Sequence, residues 1–118
     1  MRPSTALPTR FLSAHAVCEL VRREGLDRTL AGIAQCIEED FQRWPAFDKS
    51  ARVASHSHDG VIELMPISDA RRYSFKYVNG HPRNTTRGLP TVMAFGVLAD
   101  VATGAPELVS ELTLTTAL

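Results

Sequence analysis

The chain holds 118 residues, 44% hydrophobic, 7% aromatic and 22% charged. That composition suits one globular domain and excludes disorder, a collagen-like repeat, a disulfide miniprotein or two full domains. Thirteen basic residues balance thirteen acidic ones, so nothing marks a generic binder of nucleic acid or of a membrane surface.

Several signals along the chain point to the cytoplasm. No apolar run approaches the roughly 20 residues that a membrane span needs. Phe11 to Val21, the only candidate signal-peptide core, is interrupted by His15 and Glu19. Cys18 and Cys36 form no C-x-x-C motif, which reads as two reduced thiols in a cytoplasmic chain.

Met1 to Thr9, with Pro3 and Pro8, reads as a loose leader. Arg10 to Ser13 suits a short edge strand, after which Ser13 can cap a helix that runs to about Arg23 and ends at Gly25. Leu26, Leu30, Ile33, Ile37, Phe41 and Trp44 then recur at helical spacing, an apolar stripe expected to face the core, and Pro45 stops that helix. From Ala51 the period falls to two. Arg52–Ser55, Val61–Met65, Tyr73–Val78, Thr91–Val101 and Glu107–Ser110 read as strands, divided by turn-forming clusters. Two helices followed by these strands predict an α+β fold, with the helices packed on one face of a mainly antiparallel sheet. Glu111 to Leu118 has the acid and hydroxyl residues of a helix start and little more, so the chain is expected to end inside an element beginning near residue 112.

Charge is uneven within this frame. Residues 71–87 carry Arg71, Arg72, Lys76, Arg83 and Arg87 and no acid, a pattern closer to a local anion site than to a polyanion track. Lys76 lies mid-strand, on the side opposite Tyr73, Phe75 and Tyr77; it is either a wet-face lysine or a cation for a substrate carboxylate. Glu63 stands in an otherwise apolar strand and needs a cation or a functional role to be retained there. Arg52 could pair with Glu63, or could clamp a carboxylate with its planar fork. Lys49 reads as a solvated residue of a polar loop. His56, His58 and Asp59 do not amount to a metal site, since two ligands and a loop carboxylate define no geometry. Residues 79–88 are rich in donors and could cradle an anion or could be an ordinary surface loop. The sequence contains no G-x-G-x-x-G, P-loop or G-x-S-x-G.

The longer runs are more specific. Lys76-Tyr-Val-Asn-Gly-His-Pro-Arg-Asn84, Gly88-Leu-Pro-Thr-Val-Met-Ala-Phe-Gly-Val-Leu-Ala-Asp100, Thr103-Gly-Ala-Pro106 and Ser110-Glu111 resemble the ornithine cyclodeaminase and mu-crystallin family. So do Phe41-Gln-Arg-Trp44, Phe47-Asp-Lys49 and Val61-Ile-Glu-Leu-Met-Pro66. The resemblance implies that residues 1–118 form an N-terminal domain that binds substrate and makes a homodimer. It also implies a following Rossmann domain for NAD, which this chain lacks. The reaction implied is conversion of L-ornithine to L-proline and ammonia. By position, Arg52 and Lys76 resemble the family's carboxylate-binding pair, Glu63 the acid that holds a water near the reacting amine, and Thr91 a contact to NAD; no metal is implied. The family's remaining substrate, cofactor and catalytic residues follow the point where this chain stops, so the chain alone is expected to be inactive. Two other readings stay open: a non-catalytic dimerising remnant, and a relative acting as a ketimine reductase or amino-acid dehydrogenase.

Overall fold

Local chemistry sets the helix boundaries. The computed structural model describes residues 8–118, so the leader expected over Met1–Thr9 lies, as far as residue 7, outside the described residues. Strand β1 (Arg10–Leu12) leads into helix α1 (Ala14–Glu24). Ser13 Oγ accepts the Ala16 N–H at 3.1 Å, satisfying one of the donors that a helix start leaves open. Gly25, at φ +85°, ends α1 in a backbone region that disfavours any residue with a Cβ. Helix α2 (Leu26–Gln42) begins at the next residue and gives way to a 3-10 turn, Trp44–Ala46, at Pro45.

The rest of the chain builds the sheet from β2 (Asp48–Lys49), β3 (Val53–His56), β4 (Val61–Ser68), β5 (Arg72–Gly80), β6 (Ala94–Asp100) and β7 (Pro106–Glu111), then a short helix α3 (Thr113–Ala117). The strand order is β1-β7-β6-β5-β4-β2, with β3 also paired to β4. Every pairing is antiparallel except that of β1 with β7. The chain is thus an α+β domain with helices packed with a mainly antiparallel sheet: Leu20 of α1 lines a hollow with Leu12, Leu98 and Leu108, and Val17 is one of the few buried apolar side chains.

Four details depart from the sequence expectations. β4 runs on through Pro66 to Ser68, because Pro66 falls between the segment paired with β3 and the segment paired with β2 and so interrupts neither ladder. Thr91–Met93 stays outside β6, because the Asn79 side-chain carbonyl takes the Met93 N–H that a ladder carbonyl would accept. Lys49 belongs to β2 rather than a free loop; its Nζ donates to the Trp44 and Phe47 carbonyls at 2.9 and 3.1 Å and lies 4.8 Å from the Trp44 ring centre. The α2 stripe is not a buried core face: Leu26, Ile37 and Phe41 are 54, 50 and 64% exposed. α2 lies against α1, and its C-terminal end is pinned to the β4–β5 hairpin by Arg43 Nη1 on Asp69 Oδ2 at 2.9 Å. An apolar groove of about 640 Å³ remains between α1 and α2, lined by Leu20, Ile33, Ile37 and Leu118 among others.

Candidate functional site

Strand alternation and register sort the chemistry. Successive side chains of a strand point to opposite faces. On β5, Lys76 therefore shares a face with Val78, and the partners of these two on β4 are Met65 and Glu63. On β6 the residue opposite Lys76 is Gly96. On β3, Ala54 pairs with Glu63, and Arg52, two residues earlier, returns to the same face. Glu63 and Lys76 thus share one face of β4 and β5 as diagonal neighbours, a spacing of about 7–8 Å between backbones, and Arg52, just before β3, reaches that face through Glu63.

Direct contact links two of the three. Arg52 Nη1 lies 2.7 Å from Glu63 Oε2, with the Arg52 side chain 60% exposed and that of Glu63 20% exposed. The acid in the apolar strand has found its cation, while Lys76, half-buried, enters no ion pair among the described residues. An exposed pair of this kind contributes about 0–1 kcal/mol to stability.

Gly96 sets the floor beside Lys76. A Cβ on it would come within 2.6 Å of Leu112 Cδ1 and 3.0 Å of the Phe75 carbonyl oxygen, so only glycine lets Leu112 lie over the sheet here. Leu112 is held there by its N–H on the Ala94 carbonyl at 2.9 Å, and Thr113 Oγ1 accepts the Ala94 N–H at 2.9 Å. Glu111 accepts the Leu114 N–H at 3.2 Å, which anchors the first turn of α3.

Thr91 belongs to a different part of the structure, the segment that enters β6. Its carbonyl accepts the His81 N–H at 2.8 Å. Asn79, only 7% exposed, fastens that segment: its N–H reaches the Met93 carbonyl at 3.1 Å, its side chain holds the Met93 N–H, and its Nδ2 meets His81 Nδ1 at 2.8 Å. Sequence reasoning treated Asn79 as a turn residue; the signal available was an amide directly after an apolar strand and ahead of Gly-His-Pro.

The other candidates are placed as follows. The basic run of residues 71–87 is divided by the length of β5, which at about 3.3 Å per residue keeps Arg72 and Arg83 roughly 25 Å apart or more. Arg72 lies 3.5 Å from Glu107. Asp69 accepts the Arg71 and Arg72 N–H groups, each at 2.8 Å; those bonds, Arg72 first, together with Arg43, hold its carboxyl down at about 2. Residues 82–87 form a 3-10 turn closed by Gly88 at φ +68°. His58 meets Asp59 at 3.3 Å, and no group of three or more His, Cys, Asp or Glu suited to a metal occurs among the described residues. No described helix is long and apolar enough to cross a membrane.

The opposite face of the sheet is aromatic. Tyr77 and Phe95 stack with centroids 5.0 Å apart, Phe75 meets Phe95 edge-on at 6.2 Å, and Tyr73 adjoins Phe75 at 6.4 Å. Register adds Phe11, Val53 and Leu64 to this face, and they are 70, 63 and 41% exposed.

Comparison with known proteins supplies the context. The model of the ornithine cyclodeaminase/mu-crystallin family matches residues 14–118. The chain is 58% identical over 108 residues to the ornithine cyclodeaminase of Agrobacterium tumefaciens (strain Ach5), covering 92% of this chain and 30% of that protein. Among solved structures it resembles a lysine cyclodeaminase described for its recognition of L-lysine, L-ornithine and L-2,4-diamino butyric acid, with TM-score 0.85 and 25% identity over 94% of this chain and 35% of that one. It also resembles an archaeal alanine dehydrogenase dimer with bound NAD, with TM-score 0.74 and 28% identity over 92% of this chain and 32% of the other. The chain therefore spans about a third of the length of the proteins it matches.

Proposed function

The chain belongs to the ornithine cyclodeaminase/mu-crystallin family, and from that premise we propose that it supplies the substrate-binding and self-association part of an NAD-dependent ornithine cyclodeaminase, which converts L-ornithine to L-proline and ammonia. The observation that carries this reading is the convergence of Arg52, Glu63 and Lys76 on one sheet face. Arg52 and Lys76 bind the α-carboxylate of ornithine, the guanidinium by its planar fork and the ammonium as a point charge. Two cations on one carboxylate fix the orientation of the α-carbon, the positioning contribution to catalysis. Glu63, beside them, holds a water near the reacting amine. Leu112 over Gly96 excludes water from one side of the patch.

Bound NAD would supply the hydride acceptor and donor. The described residues fit it only as a rim contact: Thr91 lies in a segment fastened by Asn79 and His81. No Gly-rich strand-turn-helix that would cradle its phosphates occurs in the sequence. No step of the redox chemistry is therefore assigned to this chain's own residues. The aromatic face of β5 and β6 serves self-association as a homodimer, since an exposed apolar patch of that kind is the usual mark of a protein partner. The free cysteines Cys18 and Cys36 support a reducing, cytoplasmic setting.

The test is a chimera. The chain alone should release no ammonia from L-ornithine with NAD present. Fused to the part of the Agrobacterium relative that lies beyond the matched segment, it should do so. A folded chimera that is inert to ornithine but oxidises L-alanine would move the reading to an amino-acid dehydrogenase, the alternative favoured by the alanine dehydrogenase likeness.

A further inference from the structure

The sequence left Arg52 two exclusive roles, partner of Glu63 or clamp for a carboxylate. The geometry makes them compatible. Glu63 engages a single nitrogen, Nη1, at 2.7 Å, and Nε and Nη2 make no hydrogen bond among the described residues. An arginine has five donors in a fixed plane and prefers to meet a carboxylate with two of them. The Nε–Nη2 edge is thus free for a second carboxylate while the first holds.

Three further observations make Glu63 the anchor rather than the anchored. Glu63 lies within β4, laddered on both sides by β3 and β5, and is 20% exposed against 60% for Arg52. Arg52 precedes β3 and has no ladder pairing of its own. The residue directly opposite Glu63 is the small Ala54, which leaves the guanidinium room to lie across the strand.

We infer that Glu63 is a positioning residue for Arg52, holding its guanidinium by one edge so that the other edge is presented, already ordered, to the carboxylate of an amino-acid ligand. This rests on the reading that Arg52 and Lys76 bind that carboxylate. A long exposed side chain must otherwise be ordered at the moment of binding, at a cost equivalent to about threefold to tenfold in affinity.

The experiment is a double-mutant cycle on the 118-residue chain, titrated with L-ornithine and followed by amide chemical shifts, with thermal melting of each variant alongside. R52Q should weaken binding at least tenfold. E63Q should weaken it threefold to tenfold with little change in melting temperature, and by a smaller factor in the R52Q background, where only its water contact is left to lose. Binding by E63Q equal to or tighter than the parent chain's overturns the proposal. So does an equal loss with and without Arg52, or a loss that merely follows a lowered melting temperature. Failure of the unaltered chain to bind L-ornithine, or binding unaffected by both R52Q and K76M, overturns the carboxylate-site reading itself and the proposal with it.

Discussion

The two faces of β5 and its neighbours carry different chemistry. One face carries Arg52, Glu63 and Lys76 among the apolar Met65, Val78 and Leu112; the other carries Tyr73, Phe75, Tyr77 and Phe95, in aromatic contact. Consecutive residues such as Phe95 and Gly96 belong to opposite faces and to opposite chemistries. A period of two is enough to put the charged residues proposed to bind substrate and the aromatic patch proposed for self-association on a single layer, with no second sheet between them.

Substitutions at adjacent positions should therefore act independently, and the largest effect is expected on the aromatic side. Phe95→Asp puts a charge into the stack with Tyr77 and Phe75, and should weaken the proposed self-association about 100-fold or more. Sedimentation would show it, and an unchanged self-association would remove this face from the interface. Next is the charged side. Lys76→Met should cut L-ornithine affinity about tenfold, the loss of one charge-assisted contact, while leaving sedimentation as it was; a parallel loss of the dimer would mean that the faces are coupled.

Gly96→Val tests the floor. Its Cβ would meet Leu112 and the Phe75 carbonyl, so denaturant unfolding should show a loss of about 1–3 kcal/mol, typical of overpacking. An unaffected midpoint would show that Leu112 moves aside freely. The smallest effect lies away from both faces, at the β4–β5 turn. Asp69, held near 2 by the Arg72 and Arg71 N–H groups and by Arg43, has a folded value below its unfolded one. Its contribution is thus fully present above about pH 4 and is lost as pH falls towards 2. Asp69→Asn should flatten that limb of the pH–stability curve and leave both faces intact; an unchanged limb would assign acid sensitivity to other carboxylates.

Much of this was legible beforehand because it depends on near neighbours. The Ser13 cap, the Gly25 stop and the break at Pro45 follow from backbone chemistry within a turn. The separation of Lys76 from Tyr73, Phe75 and Tyr77 follows from alternation alone. Asn79 was missed, because its role depends on Met93, a residue brought beside it only by the β5–β6 pairing. Lys49 and the end of β4 were misjudged for the same reason, since the partner of each strand lies beyond the local window.

What the sequence by itself determined is where α1 and α2 begin and end and which side of a strand a residue such as Lys76 faces, since capping, helix breaking and period are set within a few residues. Only the tertiary structure decided that β1 joins the sheet parallel to β7, that Glu63 holds Arg52 by one nitrogen, that Leu112 covers Gly96, and that the stripe of α2 stays largely open. Those outcomes depend on strand order and register, which bring together residues far apart in the chain and so leave no periodic trace in it.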